Sequence, residues 1–278
     1  MKKSILPLAL TAAFVLPHSA VAQDARPDPA KLKVTVEKLV SFGTRHSLST
    51  TTDPKRGIGA ARKWAAGEFD RISKSCGDCL KVETVADRFT GPRAPDGVEI
   101  VDVLAIQNGT GDPDQVVIVA GHIDSRASDA MNATIEAPGA NDDGSGSALV
   151  MEAARILSKQ KFNATIVYAL LSGEEQGLWG GTLLANTAKA RGWQVRAMLN
   201  NDIVGNTLGQ DGSVVADRVR VFSEGIQSSE DLTAAMARRA IGGEDDSPSR
   251  ALAKRIAHVA QSDKHIGLSV LEIGRAHV

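Results

Sequence analysis

Three runs of apolar residues constrain the fold of this chain more than any other feature of its sequence. They occupy residues 116–120, 164–171 and 195–199, and nearly continuous apolar runs are typical of strands buried on both faces of a sheet. Segments with helical spacing of apolar residues, 147–157 and 178–190, alternate with these runs. Strands that alternate with helices favour an α/β protein. We therefore predict a three-layer α/β/α sandwich around a mixed, mostly parallel sheet.

Further elements are predicted on either side of these strands. A helix is expected to begin after Asp28, which caps it, with Pro29 in its first turn. Apolar residues recur at helical spacing from Ile58 to Ile72. The remaining patterns indicate strands at 80–85, 98–106, 219–222 and 267–270, and helices at 229–241 and 249–260.

The composition argues against two classes of protein. The 278 residues include 32 Lys and Arg against 33 Asp and Glu, which gives a net charge of −1. A nucleic-acid-binding protein normally carries a basic surplus, and so does a polybasic membrane-surface protein. We therefore expect no nucleic-acid partner and, since no segment after residue 22 is apolar enough, no membrane span.

The first 22 residues have the pattern of a secretory signal peptide. Two lysines precede an apolar run at 5–16, and a small-x-small cleavage pattern follows at 20–22. A membrane anchor is the alternative, but the run is shorter than the roughly 20 residues that a spanning helix needs. We therefore predict cleavage after Ala22 and export, to the periplasm or out of the cell.

Export changes the interpretation of the two cysteines. Cys76 and Cys79 form a C-x-x-C pattern, which in an oxidising compartment favours a local disulfide. A redox pair is the alternative. A zinc site made of four thiolates is excluded, because the sequence has no second C-x-x-C.

Acidic side chains and one histidine follow the three apolar runs or precede the helix that comes after the first run. They are His122, Asp124, Asp142, Glu174, Glu175 and Asp202. Because ligands bind at the carboxyl ends of such strands, we expect these side chains to meet at one edge of the sheet. Imidazole with carboxylates is a ligand set that suits zinc. Carboxylates at short range raise each other's pKa, so a pair of divalent cations is the expected counter-charge.

Each of these residues also has an ordinary structural explanation. His122 alone would be a surface or hydrogen-bonded histidine, and Asp142 would belong to a turn before a capped helix. Glu174 and Glu175 would form a solvated first helical turn. The glycine-rich segment 144–146 would suit an anion, but the acids before it repel phosphate. These explanations would have to hold at three strand ends together, so we favour the metal site.

Four motifs, in this order, resemble the M28 family of zinc metallopeptidases. They are Gly-His-x-Asp-Ser at 121–125, Gly-Ala-Asn-Asp-Asp-Gly-Ser-Gly at 139–146, Gly-Glu-Glu-Gln-Gly at 173–177 and Asn-Asn-Asp at 200–202. The resemblance covers about 116–205 strongly. It implies a zinc exopeptidase fold, two zinc ions and peptide substrates, and the family includes secreted bacterial aminopeptidases.

The resemblance also implies a set of metal ligands. His122 and Asp202 would ligate one zinc ion, and Asp142 would bridge the two ions. Glu175 would ligate the second ion.

Two further residues take catalytic roles by the same resemblance. Glu174 would be the general base that takes a proton from water. Asp124 would hydrogen-bond His122 and fix its orientation. The peptide bond between Asp142 and Asp143 is expected to be cis.

The sequence departs from the family near its C-terminal end. The family pattern places one more ligand of the second zinc ion in a Gly/Ser-Asp-His motif, and the nearest match is Ser-Asp-Lys-His at 262–265, where a lysine intrudes before His265. His46, His258 and His277 have no matching motif. We therefore expect an incomplete second metal site, a C-terminally incomplete peptidase domain at 23–270, and an atypical tail at 271–278.

Several functions remain open at this point. The leading hypothesis is a zinc-dependent aminopeptidase, and carboxypeptidase or glutaminyl cyclase activity is possible on the same fold. A catalytically impaired or non-catalytic binding protein is the alternative from a different class. The presence of Glu174 together with four metal ligands favours an enzyme.

Overall fold

The apolar runs form the middle of a five-stranded sheet. The structure, a computed structural model, describes residues 26–226, 230–262 and 267–271. Its strands are β1 Lys81–Gly91, β2 Ala94–Gln107, β3 Asp112–His122, β4 Ala164–Leu171, β5 Gln194–Asn200, β6 Arg218–Phe222 and β7 Gly267–Leu271. Its α-helices are α1 Pro29–Val40, α2 Gly57–Ser75, α3 Gly144–Leu157, α4 Glu174–Gly177, α5 Trp179–Ala190, α6 Leu232–Ala240 and α7 Pro248–Ser262. The predicted signal peptide lies outside the described residues and stays a prediction.

The larger sheet is mixed, as predicted. Its strand order is β1-β2-β4-β3-β5. The strand β2 is antiparallel to both of its neighbours, β1 and β4, and β3 is parallel to both of its neighbours, β4 and β5. The ends of the three parallel strands are level, since His122 is paired with Leu171 and Ala120 with Asn200. This alignment brings the residues that follow the strands to one edge.

Helices cover both faces of this sheet and complete the three layers. On one face, α1, α2 and α3 pack over a core that contains Phe69, Val119 and Tyr168. On the other face, Leu184 of α5 packs against a second apolar cluster with Ile118. The observed layers confirm the predicted α/β/α sandwich.

Side-chain caps explain where two of the helices begin. The Asp28 carboxylate accepts the backbone N–H groups of Ala30 and Lys31, with Pro29 in the first turn, as predicted. Asp143 caps α3 by accepting the backbone N–H of Gly146 at 2.8 Å. The first of these caps was expected from the sequence, and the second belongs to the site described below.

The prediction that 195–199 forms a strand buried on both faces is wrong. The strand β5 lies at the edge of the sheet, where its partner is β3, and Val195 and Met198 are 44% and 41% exposed. An apolar run indicates burial only when helices cover both of its faces. The predicted strand at 219–222 is β6, which is parallel to β7 in a separate two-stranded sheet and is largely exposed.

The strands predicted at 80–85 and 98–106 are longer than expected. They form one antiparallel hairpin whose register runs from Lys81 opposite Ile106 to Gly91 opposite Ala94. Gly91 and Pro92 therefore lie at the tip of a hairpin. This tip reaches the edge of the sheet where the candidate site lies.

One smaller prediction is also settled by the structure. Cys76 and Cys79 form a disulfide directly after α2, with their Cα atoms 5.6 Å apart, so the local disulfide is confirmed. Within the described residues, the helices are too short or too polar to cross a membrane.

Candidate metal centre

Three side chains, two from strand ends and one from the loop before a helix, converge at one edge of the sheet. His122 is the last residue of β3, Asp142 lies in the loop before α3, and Asp202 follows β5. The Nε2 atom of His122 lies 3.1 Å from Asp142 Oδ1 and 3.9 Å from Asp202 Oδ1. One candidate ligand atom from each residue lies within 4.8 Å of the others. We call these three residues the ligand cluster.

The His122 imidazole is arranged so that Nε2 faces the cluster. Its Nδ1 atom lies 3.1 Å from the backbone oxygen of Asp124 and 3.5 Å from that residue's Oδ1, so Nδ1 carries the proton and donates it to Asp124. The buried Nε2 has no hydrogen-bond partner among the described residues. A buried nitrogen lone pair that faces two carboxylates fits a divalent cation such as zinc, which binds imidazole and carboxylate ligands.

The electrostatics of the cluster also favour a positive charge at this place. Burial would lower the pKa of His122, but the nearby carboxylates of Asp124, Asp142 and Asp202 outweigh it and raise that pKa well above its ordinary value. The pKa of Asp142 is lowered, chiefly by His122 and also by the positive charge of Arg126. Without a cation, His122 itself supplies part of the counter-charge.

Asp143 has a different task from the neighbouring Asp142. The peptide bond between them is cis, as the family resemblance implied. The buried Asp143 carboxylate accepts the backbone N–H of His122 at 3.0 Å and that of Gly146 at 2.8 Å. It therefore ties the end of β3 to the start of α3, which leaves Asp142 to face the ligand cluster.

Asp124 connects the histidine to the two glutamates. Its fully buried carboxylate accepts the backbone N–H groups of Glu174 at 3.3 Å and Glu175 at 3.2 Å, and the hydroxyl of Ser47 at 3.2 Å. The predicted role of Asp124 beside His122 therefore has a second part, because the same carboxylate positions the start of α4.

The two glutamates have different surroundings. Glu174 is half-buried at the start of α4, and burial raises its pKa to about 7, with His122 opposing the rise and neighbouring carboxylates adding to it. Glu175 lies outside the ligand cluster among the described residues, and its Oε2 atom accepts a hydrogen bond from Arg126 Nε at 2.5 Å. The assignment of Glu175 to a second metal ion stays a prediction.

The sequence interpretation missed a polar segment that lies behind the site. Residues 44–47, Thr-Arg-His-Ser, are all buried. Arg45 donates from its guanidinium to the backbone oxygens of Ile123 at 2.7 Å and Gly139 at 2.9 Å, and burial lowers its pKa to about 10. These contacts join the loops that carry Asp124 and Asp142. Four consecutive polar residues between two amphipathic helices were the only sequence signal for this segment.

The other histidines have different places in the chain. His46, for which the sequence offered no matching motif, is buried, and its Nε2 lies 3.0 Å from the backbone oxygen of Ala130 and 3.2 Å from the Gln176 amide. It therefore contacts the residue that follows the two glutamates. His258 is exposed on α7. His265 and His277 lie outside the described residues.

Comparison with known proteins identifies the family of the chain. Residues 102–258 match the family model described as peptidase family M28. A probable zinc metalloprotease of Pyricularia oryzae is 46% identical over 239 residues, which cover 84% of this chain and 47% of that protein. The chain thus spans about half the length of the curated relatives that it matches.

Solved structures support the fold. The LapA aminopeptidase of Legionella pneumophila superposes with a TM-score of 0.55 at 20% identity, covering 87% of this chain and 54% of that one. A glutaminyl cyclase of Bacteroides thetaiotaomicron superposes with a TM-score of 0.58 at 16% identity, covering 89% and 77%. With more than half of its residues matched by the family model and a relative of 46% identity, the chain belongs to peptidase family M28.

Proposed function

We propose that this chain is a zinc-dependent exopeptidase that removes residues from the amino terminus of peptides. The observation that carries the proposal is the buried Nε2 atom of His122, which lacks a hydrogen-bond partner among the described residues and faces Asp142 and Asp202. A bound zinc ion supplies a Lewis acid that polarises a carbonyl group and brings the pKa of water close to neutrality.

In the proposed reaction, Glu174 moves the proton. Its carboxylate stands beside the ligand cluster on the first residue of α4, and its raised pKa of about 7 is close to the value that suits a general base at neutral pH. Glu174 takes a proton from the attacking water and passes it to the leaving amine. Asp124 holds the backbone of Glu174 and the ring of His122 in place.

The charge of the site supports a preference for amino termini. Carboxylates of Asp142, Glu174 and Asp202 gather at the same edge, and two of these side chains are partly open to solvent. With one divalent ion bound, the three carboxylates would still outweigh its charge, so the α-ammonium group of a peptide is attracted to the site and a terminal carboxylate is repelled. Glutaminyl cyclase activity on the same fold also starts from a free amino terminus, so it is measured in the same experiment.

The test is hydrolysis of aminoacyl anilides by the purified chain. Each substrate is paired with its N-acetylated form, and a peptide with amino-terminal glutamine is monitored for cyclisation. We expect release of the anilide only from substrates with a free amine, loss of activity with a zinc chelator, and recovery on addition of zinc. Equal turnover of the acetylated substrates would overturn the aminopeptidase proposal. Cyclisation without hydrolysis would replace it by a glutaminyl cyclase.

A His122→Ala variant tests the metal assignment in the same assay. We expect it to fold and to lose both zinc and activity, because it removes the only imidazole of the ligand cluster. The exposed His258 provides a matched control. A His258→Ala variant should keep its zinc content and turnover.

A further inference from the structure

Glu175 is a buried carboxylate that is held away from the ligand cluster. Its side chain is only 9% exposed, and its Oε2 atom lies 2.5 Å from Nε of Arg126. Arg126 also donates from Nη1 to the backbone oxygen of Ala127 at 3.2 Å. The guanidinium is therefore held by two contacts, one to a carboxylate and one to its own loop.

The backbone of Glu175 is held separately from its side chain. Its N–H group donates to Asp124 Oδ2 at 3.2 Å, and its backbone oxygen accepts a hydrogen bond from the guanidinium of Arg93, at the tip of the β1–β2 hairpin. Any move of the Glu175 carboxylate toward the ligand cluster must therefore come from rotation of the side chain, which breaks the contact with Arg126.

Arg126 supplies positive charge to one carboxylate of the ligand cluster and to one beside it. It pairs directly with Glu175, and it favours the ionised form of Asp142 after the larger effect of His122. Asp142 and Glu175 repel each other when both are ionised. A nearby cation favours the ionised form of such groups, and the guanidinium of Arg126 acts on both of them.

We propose that Arg126 holds Glu175 as a counter-ion, so that the ligand cluster binds one divalent ion and a second binds beside it only after displacing Arg126. This inference rests on the proposed function. It assigns Arg126 a positioning role, because its effect on the metal site acts through Glu175. The contact is charge-assisted and its carboxylate is buried, which makes it stronger than an exposed ion pair.

The test measures zinc binding by the metal-free chain. Competition with a chromogenic chelator gives the affinity for each ion, and elemental analysis at fixed free zinc gives the number of ions bound. We expect one ion to bind tightly to the wild-type chain and a second to bind weakly. Arg126→Ala should raise the affinity for the second ion about tenfold or more while changing that for the first much less.

A double variant shows whether the gain passes through Glu175. In Arg126→Ala combined with Glu175→Gln, the gain at the second ion should disappear, whereas a general effect of removing a positive charge would persist. Arg126→Gln, which changes the side-chain volume less, should reproduce the gain of Arg126→Ala. Cobalt(II) absorption spectra provide a readout of the second site that does not depend on activity.

The outcomes separate this inference from the proposed function. Unchanged affinity for the second ion in both Arg126 variants, a gain that persists in the double variant, or two ions bound equally well by the wild-type chain would each overturn the role of Arg126. Failure of the wild-type chain to bind any zinc, or unchanged zinc content in His122→Ala, would overturn the proposed function itself.

Discussion

The carboxylate of Asp124 accepts the backbone N–H of Glu175 at 3.2 Å, across 51 residues of sequence. Through this bond the segment after β3 fixes the segment after β4. The same side chain accepts the N–H of Glu174 and lies 3.5 Å from Nδ1 of His122. One buried aspartate therefore sets the relative positions of the candidate metal ligand and the candidate general base.

We expect Asp124→Asn to disturb both groups. Either orientation of the new amide turns its NH₂ group toward at least one of the backbone N–H donors that the carboxylate accepts. Zinc affinity and turnover should each fall about 10- to 100-fold, as measured by chelator competition and anilide hydrolysis. Asp114→Asn, at an exposed aspartate of β3, is the control and should match the wild type. Unchanged turnover in Asp124→Asn would contradict the positioning role.

Glu174→Gln separates proton transfer from metal binding. The variant keeps the backbone N–H that donates to Asp124 and removes only the group that accepts a proton. Zinc content should be unchanged, and turnover should fall by about 100-fold or more. Glu37→Gln, on the exposed side of α1, is the control. If Glu174→Gln kept near-normal turnover, another residue would have to be the general base.

The edge at which the site lies could be predicted from the sequence because it depends on a simple rule. Residues that follow parallel strands meet at one edge, and His122, Asp142 and Asp202 follow that rule. The family resemblance added the roles of Asp124 and Glu174, which spacing alone does not distinguish. The exposure of β5 could not be predicted, because an apolar run carries no information about which of its faces a helix covers.

The side-chain contacts of Arg45 and Arg126 near the site could not be predicted from the sequence, for a different reason. Arg45 reaches Ile123, which is 78 residues away, through a side chain that donates to backbone oxygens. Backbone acceptors are present at every residue, so no residue type marks the partner of such a donor. The ion pair between Arg126 and Glu175 spans 49 residues, and it depends on side-chain rotamers that spacing does not specify.

Stability of the metal-free protein should depend on the protonation of Asp102. Burial raises the pKa of this β2 carboxyl from 3.8 to about 8, although the N–H of Ser172 and the charge of Arg62 oppose the rise. Between those pH values the folded protein binds a proton that the unfolded chain has lost. The stability from this group is therefore complete below about pH 4 and declines as the pH rises through about 8.

Asp102→Asn removes this dependence, because the amide is neutral at every pH and its oxygen can still accept the N–H of Ser172. In urea unfolding of the metal-free protein at several pH values between 5 and 8, the wild type should lose stability faster with rising pH. The difference in slope should approach about 1.4 kcal/mol per pH unit. Both proteins keep the slopes that come from Asp143 and Glu174, whose pKa values burial raises to about 7, so only the difference between the two proteins reports on Asp102. Parallel curves would show that Asp102 is ionised in the folded protein.

Arg45→Met tests whether the loops that carry the site are held from behind. The substitution removes the donor from the backbone oxygens of Ile123 and Pro138, whereas the oxygen of Gly139 keeps the N–H of Gly144. A buried acceptor left unpaired costs about 1–3 kcal/mol, and the oxygen of Ile123 is such an acceptor, so urea unfolding should show a loss of at least about 1 kcal/mol in the free energy of unfolding. Zinc affinity should fall as well, since Asp124 and Asp142 lie in the loops that Arg45 joins.

Arg71→Met, at an exposed arginine of α2 that pairs with Glu68, should change stability by less than about 1 kcal/mol. Equal stability of the two variants would contradict the role of Arg45, and a destabilised Arg45→Met with normal zinc affinity would confine that role to folding.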